Sequence, residues 1–465
     1  MLRSPATDQT GALSSKSPVR EKLGRAVLVL ALPVLAEQLL HMVVGLTDTY
    51  LANHLPDNAQ AATAAVGTIT YVMWFIGLMV GSIGAGSTAL IARAKGAKHR
   101  SLANSVTGQS VSTAVLLGVV VGVLGYVFAP QFARLAGLPP QAEQYAVTYL
   151  RLLSLAMPFT MLMFIANACL RGAGDTVTPA VVMVTVDVVN LVVSFSLTRG
   201  WFGLPELGFN GIAIGTMVAY VTGGTVQAVV LLSGRGGATL HLQRLRPHWH
   251  TLRRLLRIGL PAGLEGALAW GANFVVVIVI NRIDQTSTMA AAHINAVRIE
   301  AISYLPGIAF AVAASALVGQ SLGMKNPARA QRCAYLAFAM GGGMMTLCGV
   351  LFITLGHYPA TWMTTDPEVA RLTRDCLFRT GFIQIAFASS LIFSGALRGA
   401  GDTLSVMLLN LLSTLGVRLC GVLVVVYYFK GGLLDIWLVL CAELLLRGAL
   451  VYARFLHGGW KRVDV

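Results

Sequence analysis

The sequence predicts an all-α integral membrane protein with twelve transmembrane helices in two pseudo-symmetric six-helix lobes. Three observations carry this expectation. Hydrophobic residues make up 56% of the chain and charged residues 11%, whereas an average soluble domain carries roughly 25% charge. Mean hydropathy is +0.72, and the apolar residues fall in blocks long enough to cross a bilayer, which takes about 20 residues. A seven-residue motif also occurs twice, once in each half of the chain.

The elements follow in order. Residues 1–25 are polar and form an N-terminal tail. The first apolar block is long enough to span, and no cleavage site of small residues follows it, so it reads as a retained helix. Spans at 26–51, 61–90, 102–129, 145–168, 177–198 and 210–232 make an N-lobe, 26–232. A linker, 233–253, holds Gly234, Gly236, Gly237, Arg244, Arg246 and Pro247. Spans at 254–281, 289–318, 331–355, 374–396, 404–429 and 433–456 make a C-lobe, 254–456, and 457–465 is a short tail. The many glycines, 49 in all, suit close helix packing in lipid. Lys and Arg concentrate in the N-tail, the even-numbered loops and the C-tail, which places both termini in the cytoplasm and the protein in the cell (inner or plasma) membrane. The formal net charge of +15 therefore reflects topology, and nucleic acid is not an expected partner. The six cysteines form no CxxC pair and suggest neither disulfides nor a zinc site.

The repeat sets the architecture. Leu170-Arg171-Gly172-Ala173-Gly174-Asp175-Thr176 recurs as Leu397-Arg398-Gly399-Ala400-Gly401-Asp402-Thr403. In nearly the same register, Leu32-Pro33 matches Leu260-Pro261, Glu37 matches Glu265 and Gly96 matches Gly323. Six spans separate the copies, so the lobes share one orientation and are related by an axis along the membrane normal. The motif reads as a structural turn, its glycines permitting the bend and its Asp or Thr capping the next helix.

Ionisable residues inside spans are costly and mark function by default. Glu37, His41 and Asp48 share one face of the first span, and Pro33, one turn earlier, frees a carbonyl and offers a hinge. Asp187 and Asn190 in the fifth span and Thr216 in the sixth complete an oxygen-rich set around Asp48, suited to H⁺ or Na⁺. In the second half, Val276 stands where Asp48 would be. Glu265 either pairs with Arg298 or acts as counter-ion for a cationic substrate. Glu443 and Arg447, four apart, pair with each other, and Arg418 either joins them or faces the cytoplasmic edge. Tyr71, Trp74, Trp270 and Tyr304, with His41, Asn273, Glu265 and Arg298, are candidates for the wall of a substrate cavity.

No Gly-Lys dipeptide occurs, so no P-loop binds ATP, and no metal-hydrolase motif points to an enzyme. Energy then comes from an ion gradient, from a partner protein or from the substrate's own gradient, and no cofactor beyond the coupling ion is expected.

These residues resemble the multidrug and toxic compound extrusion (MATE) family over about 25–455. The resemblance rests on Leu-Pro opening spans one and seven, Thr47-Asp48-Thr49, the doubled LRGAGDT, Ala291-Ala292-His293, the stretch from Arg298 through Tyr304 to Gly307, and Val318-Gly319-Gln320-Ser321-Leu322-Gly323. It implies efflux of amphipathic, often cationic organic compounds by H⁺- or Na⁺-coupled antiport, with alternating access between two lobes of a monomer. It also places the cation site at Asp48, Asn190 and Thr216. Many members carry a second carboxylate where Ser194 stands, and another branch uses acidic residues where Ala269 and Phe387 stand here. Coupling is therefore expected in the N-lobe. The rival readings are a lipid-linked precursor flippase of the same superfamily and, more remotely, a membrane-embedded enzyme.

Overall fold

The computed structural model describes residues 18–463 except 235, 236, 247 and 285; the side chains of 18–21, Trp74, Phe75, Leu78 and Leu242 are also outside the described set. Part of the expected N-tail and of the linker thus lies outside it.

Among the described residues, twelve long helices and one short one account for nearly the whole chain. They are α1 (Pro18–Asn53), α2 (Ala59–Gly96), α3 (Arg100–Leu135), α4 (Pro140–Ala173), α5 (Val177–Arg199), α6 (Phe209–Ser233), α7 (Trp249–Ile283), α8 (Thr288–Gly323), α9 (Pro327–Leu355), the short α10 (His357–Met363), α11 (Pro367–Gly399), α12 (Thr403–Tyr428) and α13 (Leu433–His457). All the long helices but α2 are long and apolar enough to cross a membrane. α2, with 38 residues, includes the three interior side chains that are not described and takes its place as the twelfth by position in the bundle. Helix α1 begins at Pro18 and α7 at Trp249, several residues earlier than expected. α12 is not regular: it widens into π-helical turns at Thr414–Leu419 and Val424–Tyr428.

The two LRGAGDT copies make the same turn. Gly174 and Gly401 take φ of +93° and +87°, a left-handed conformation that only glycine adopts at no steric cost. The amides of Gly174 and Asp175 close on the carbonyls of Arg171 and Leu170, and those of Gly401 and Asp402 on Arg398 and Leu397, which ends each helix with its last carbonyls satisfied. Capping then diverges. Asp175 accepts from the amide of Thr178 at 3.0 Å, whereas Asp402 accepts from Arg454 at 2.8 Å and caps nothing.

The lobes exchange their first segments. Leu23, Val27, Leu30 and Ala31 of α1 belong to the core built by α8, α9 and α11 of the second lobe. Past Pro33, Val44, Leu51 and Ala52 belong to the core of the first. α7 mirrors this: Leu255 and Ile258 join the first lobe's core, and Val276, Val279 and Ile280 pack within the second. Pro261 lies between them. Each lobe-bridging helix therefore carries a proline, and a missing hydrogen bond, between its two attachments. The linker is fixed to α3 by the buried Gln109, whose amide donates to the carbonyls of Arg244 and Arg246 at 3.0 and 2.7 Å.

The lobes meet closely in the half that carries the LRGAGDT turns. A Cβ on Gly96 would stand 2.0 Å from the Gln320 carbonyl oxygen, and one on Gly323 would stand 2.2 Å from that of Arg93. Gly96 and Gly323 are repeat equivalents, so this is one contact made twice about the pseudo-axis. Gly86 against Leu255 and Gly259 against Ser82 lie in the same half. Overpacking costs about 1–3 kcal/mol, so Gly96→Leu is expected to part the lobes at this end. In a background without native cysteines, a maleimide should label Ala92→Cys, buried in wild type, markedly faster when Gly96→Leu is present. An unchanged labelling rate would show that this contact does not hold the lobes together.

Candidate cation and substrate site

Asp48 lies one turn and a half before the end of α1, 3% exposed, and faces α4, α5 and α6. Its Oδ2 accepts from the Tyr149 hydroxyl and from Thr216 Oγ1 at 2.7 Å. Asn190 Nδ2 lies 3.4 Å from Oδ1 and donates to Thr216 Oγ1 at 3.0 Å and toward Ser194 Oγ at 3.3 Å. Four helices are thus tied at one carboxylate. Of the residues expected around Asp48, Asn190 and Thr216 are in contact with it. Asp187 is not: it is buried on α5, and neither of its carboxylate oxygens has a hydrogen-bond partner among the described residues. Tyr149 was missing from the sequence reading. A tyrosine in a span more often packs or anchors at an interface, and only the fold brings this hydroxyl to Asp48.

Glu37 stands apart from Asp48. Three turns earlier on α1, it accepts from Arg171 Nη1 at 2.9 and 3.0 Å and from Asn167 Nδ2 at 2.9 Å, and Gln227 donates to Asn167. The second lobe repeats the pair. Glu265 accepts from Arg398 Nη2 at 2.5 Å and from Asn410 Nδ2 at 2.5 Å. Its partner is therefore Arg398, the arginine of the repeated motif, and not Arg298. LRGAGDT supplies more than a turn: its arginine neutralises the carboxylate that follows each Leu-Pro.

Glu443, fully buried, pairs with Arg447 at 2.5 Å as its spacing predicts. It also pairs with Arg418 at 2.7 Å, and Ser413 donates to it at 2.9 Å. The irregular turn of α12 carries Arg418, whose other nitrogen donates to Asn273 Oδ1 at 2.5 Å. Asn273 is thus engaged by the protein itself.

The remaining cavity candidates are spread over both lobes. His41 is exposed, its ring edge-on to Phe164 at 5.6 Å. Tyr71 is exposed, and the Trp74 side chain lies outside the described residues. Trp270 stacks on Phe274 at 5.6 Å, and Tyr304 meets Phe387 edge-on at 6.0 Å. Arg298 is exposed on α8. No cluster of three or more His, Cys, Asp and Glu that could hold a metal ion occurs among the described residues.

The site therefore offers one carboxylate among neutral oxygens. Hard monovalent cations take oxygen ligands, and a proton needs only the carboxylate, so the donor set fits H⁺ or Na⁺.

The chain is similar to curated proteins along nearly its whole length. It is 28% identical to the probable multidrug resistance protein NorM of Thermotoga maritima over 447 residues, covering 95% of this chain and 94% of that protein. It is 26% identical to the probable multidrug resistance protein YoeA of Bacillus subtilis, covering 87% of each. Its fold matches that of a multidrug resistance MATE family transporter solved in an outward-facing conformation. The TM-score is 0.86, with 20% identity, over 97% of this chain and 100% of that one. The MatE family profile matches twice, at 33–196 and 261–423, one match for each copy of the repeat and each beginning at the bridging proline. The chain belongs to the MatE family and is a multi-pass membrane transporter, not an enzyme.

Proposed function

We propose that the protein is a secondary active antiporter that exports amphipathic, cationic organic compounds against an inward flow of H⁺ or Na⁺. Coupling takes place at Asp48. The multidrug resistance named for its relatives supports the substrate class. One observation carries the coupling site. Glu37, Glu265, Asp402 and Glu443 each face an arginine, whereas Asp48 is held by neutral donors alone. A carboxylate locked to arginine has no charge to offer a passing cation. Asp48 has one.

The cycle follows from what binding does to the hydrogen bonds. With Asp48 ionised, Tyr149, Thr216 and Asn190 all donate to it. A proton turns one carboxylate oxygen into a donor, and a hydroxyl of Tyr149 or Thr216 must turn and accept. A bound Na⁺ likewise takes oxygen lone pairs and turns the hydrogens away. Either event resets the grip of α4, α5 and α6 on the end of α1. That end belongs to the first lobe's core, and the other end, beyond Pro33, to the second. A change of grip at Asp48 is therefore transmitted through the proline to the junction between lobes. A cationic substrate and the coupling ion compete for the same negative charge, which is the condition for exchange. His41, Tyr71, Trp74, Trp270, Asn273, Arg298 and Tyr304 are the proposed cavity contacts. The lipid-linked precursor reading has less support, because Arg398, Arg418 and Arg447 are engaged by Glu265 and Glu443 and leave little basic surface for a pyrophosphate.

The test is ethidium efflux from reconstituted vesicles, with a pH gradient and a Na⁺ gradient imposed separately. Wild type should respond to one gradient, and that response names the ion. Asp48→Asn should reduce efflux to the level of protein-free vesicles. Gradient-driven efflux at the wild-type rate in this variant would remove the mechanism. Tyr149→Phe deletes one hydrogen bond to a charged group, a contribution of about 1.5–3 kcal/mol. It should slow the initial rate by on the order of tenfold or more, since ~1.4 kcal/mol is a factor of ten. An unaffected rate would place Tyr149 outside the coupling step.

A further inference from the structure

The coupling scheme leaves one buried acid unused. Asp187 is 9% exposed, and neither carboxylate oxygen has a hydrogen-bond partner among the described residues. It belongs to α5, three residues before Asn190, so it sits one turn nearer the LRGAGDT end than the Asp48 cluster, and it makes no hydrogen bond to that cluster. α6 runs antiparallel to α5. Its buried Tyr220, four residues after Thr216, lies within electrostatic reach of both Asp48 and Asp187. Another turn or two along, Gln227, Asn167 and the Glu37–Arg171 pair continue the polar groups toward the LRGAGDT turn. The core of the first lobe therefore holds polar groups at three levels, and Asp187 is the carboxyl of the middle one.

The titratable and charged groups facing α5 from the helices packed against it are few. α6 supplies Tyr220, α1 supplies Glu37, His41, Asp48 and Tyr50, whose ring lies against Phe195 of α5, and α4 supplies Tyr149 and Arg171. Arg171 is bound to Glu37, and Tyr149 to Asp48. His41 packs edge-on against Phe164, and among the described residues no hydrogen bond or ion pair reaches the Asp187 carboxylate. An ionised carboxylate that is buried, unpaired and without donors is strongly disfavoured. A bound proton removes that charge. Na⁺ would need several oxygen ligands, and no oxygen-bearing side chain is bonded to Asp187, so the ligand chemistry here is that of H⁺ alone.

We propose that Asp187 is a second proton-binding group, separate from Asp48, and that the transporter therefore moves two protons for each substrate cation. This rests on the antiport reading above. At each carboxylate one O–H bond forms from a proton taken from the side of higher proton activity, and the same bond breaks on the opposite side. No other bond changes. Exchange of two protons for one monovalent cation carries one net positive charge across the membrane, whereas one proton for one cation carries none.

Voltage therefore reads the stoichiometry. Ethidium efflux is measured in vesicles with a potential imposed by K⁺ and valinomycin at equal pH on both sides, and separately with a pH gradient at zero potential. Wild type should respond to both. Asp187→Asn should keep the response to the pH gradient and lose the response to potential, and Asp187→Glu should keep both. Retention of the potential-driven flux by Asp187→Asn overturns the proposal, as does wild-type transport that is electroneutral or driven by Na⁺ alone. If Asp187→Asn transports nothing, protons released on ethidium binding are counted by calorimetry in buffers of different ionisation heat. One proton fewer than wild type supports the proposal, and an equal count overturns it. The antiport reading fails differently, through wild type without gradient-driven efflux or Asp48→Asn with normal efflux.

Discussion

A charge inside a bilayer has to be neutralised where it stands, and in this chain the neutralising group comes from the repeated motif. Arg171 reaches Glu37 and Arg398 reaches Glu265, so each lobe ties the helix that opens it to the end of its fourth or tenth span. The same motif ends that span in a left-handed glycine. Turn and ion pair are therefore set together: the glycine fixes where the chain reverses, and the arginine just before it fixes what the reversed chain lies against. A buried pair of this kind is weak evidence for net stability, but removal of one partner leaves an uncompensated charge and costs several kcal/mol. This explains why the pair recurs in both halves while much around it differs.

The lobes diverge in what remains once these pairs are formed. The second lobe adds Arg418 and Arg447 around Glu443, and Asn273 accepts from a second nitrogen of Arg418. Its acids at those positions are balanced by fixed cations. The first lobe has Asp48 and Asp187 with no arginine on either. Val276, at the position equivalent to Asp48, is buried in an apolar cluster. The two lobes thus differ in compensation: Glu265 and Glu443 of the second face arginines, whereas Asp48 of the first is held by neutral donors and Asp187 has no hydrogen-bond partner among the described residues.

The lobes and the turns were legible in the sequence, because hydropathy in long windows and a doubled motif depend on local pattern alone, and the Asp48–Asn190–Thr216 set was grouped through the family resemblance. Partners far apart in the chain were not. Glu265 was matched with Arg298 or with a substrate cation, and nothing in its spacing points to Arg398; that pairing is made by the helix ends that the glycine turn brings together. Tyr149 was hidden by its type, since an aromatic ring in a span has an ordinary packing role. Asp187 looked like a member of the Asp48 site because Asn190 is one turn away, but three residues of helix also rotate a side chain by about 60°, enough to take it out of bonding range. The exchange of segments between the lobes was invisible for another reason. Leu23, Val27 and Leu30 are apolar whichever core receives them.

That exchange decides how a local event at Asp48 can become a movement of lobes. If α1 packed wholly within its own lobe, binding at its end would rearrange only that lobe. Here the helix is anchored at both ends in different cores, and Pro33 interrupts its hydrogen bonds between the anchors. Strain introduced at Asp48 is carried along a stiff helix to the weakest point of its ladder, and there the two halves can change their angle without breaking either anchor. α7 has the same plan at Pro261, but Val276 replaces the acid and Glu265 is held by Arg398. One bridge therefore carries an acid without an arginine partner beyond its proline, and the other does not. The paired glycine contact of Gly96 and Gly323 lies across the same junction. Because it is a fit of backbone against backbone with no flexible side chain between, it is made or broken as a unit. On the antiport proposal, a change of angle at Pro33 acts on this contact.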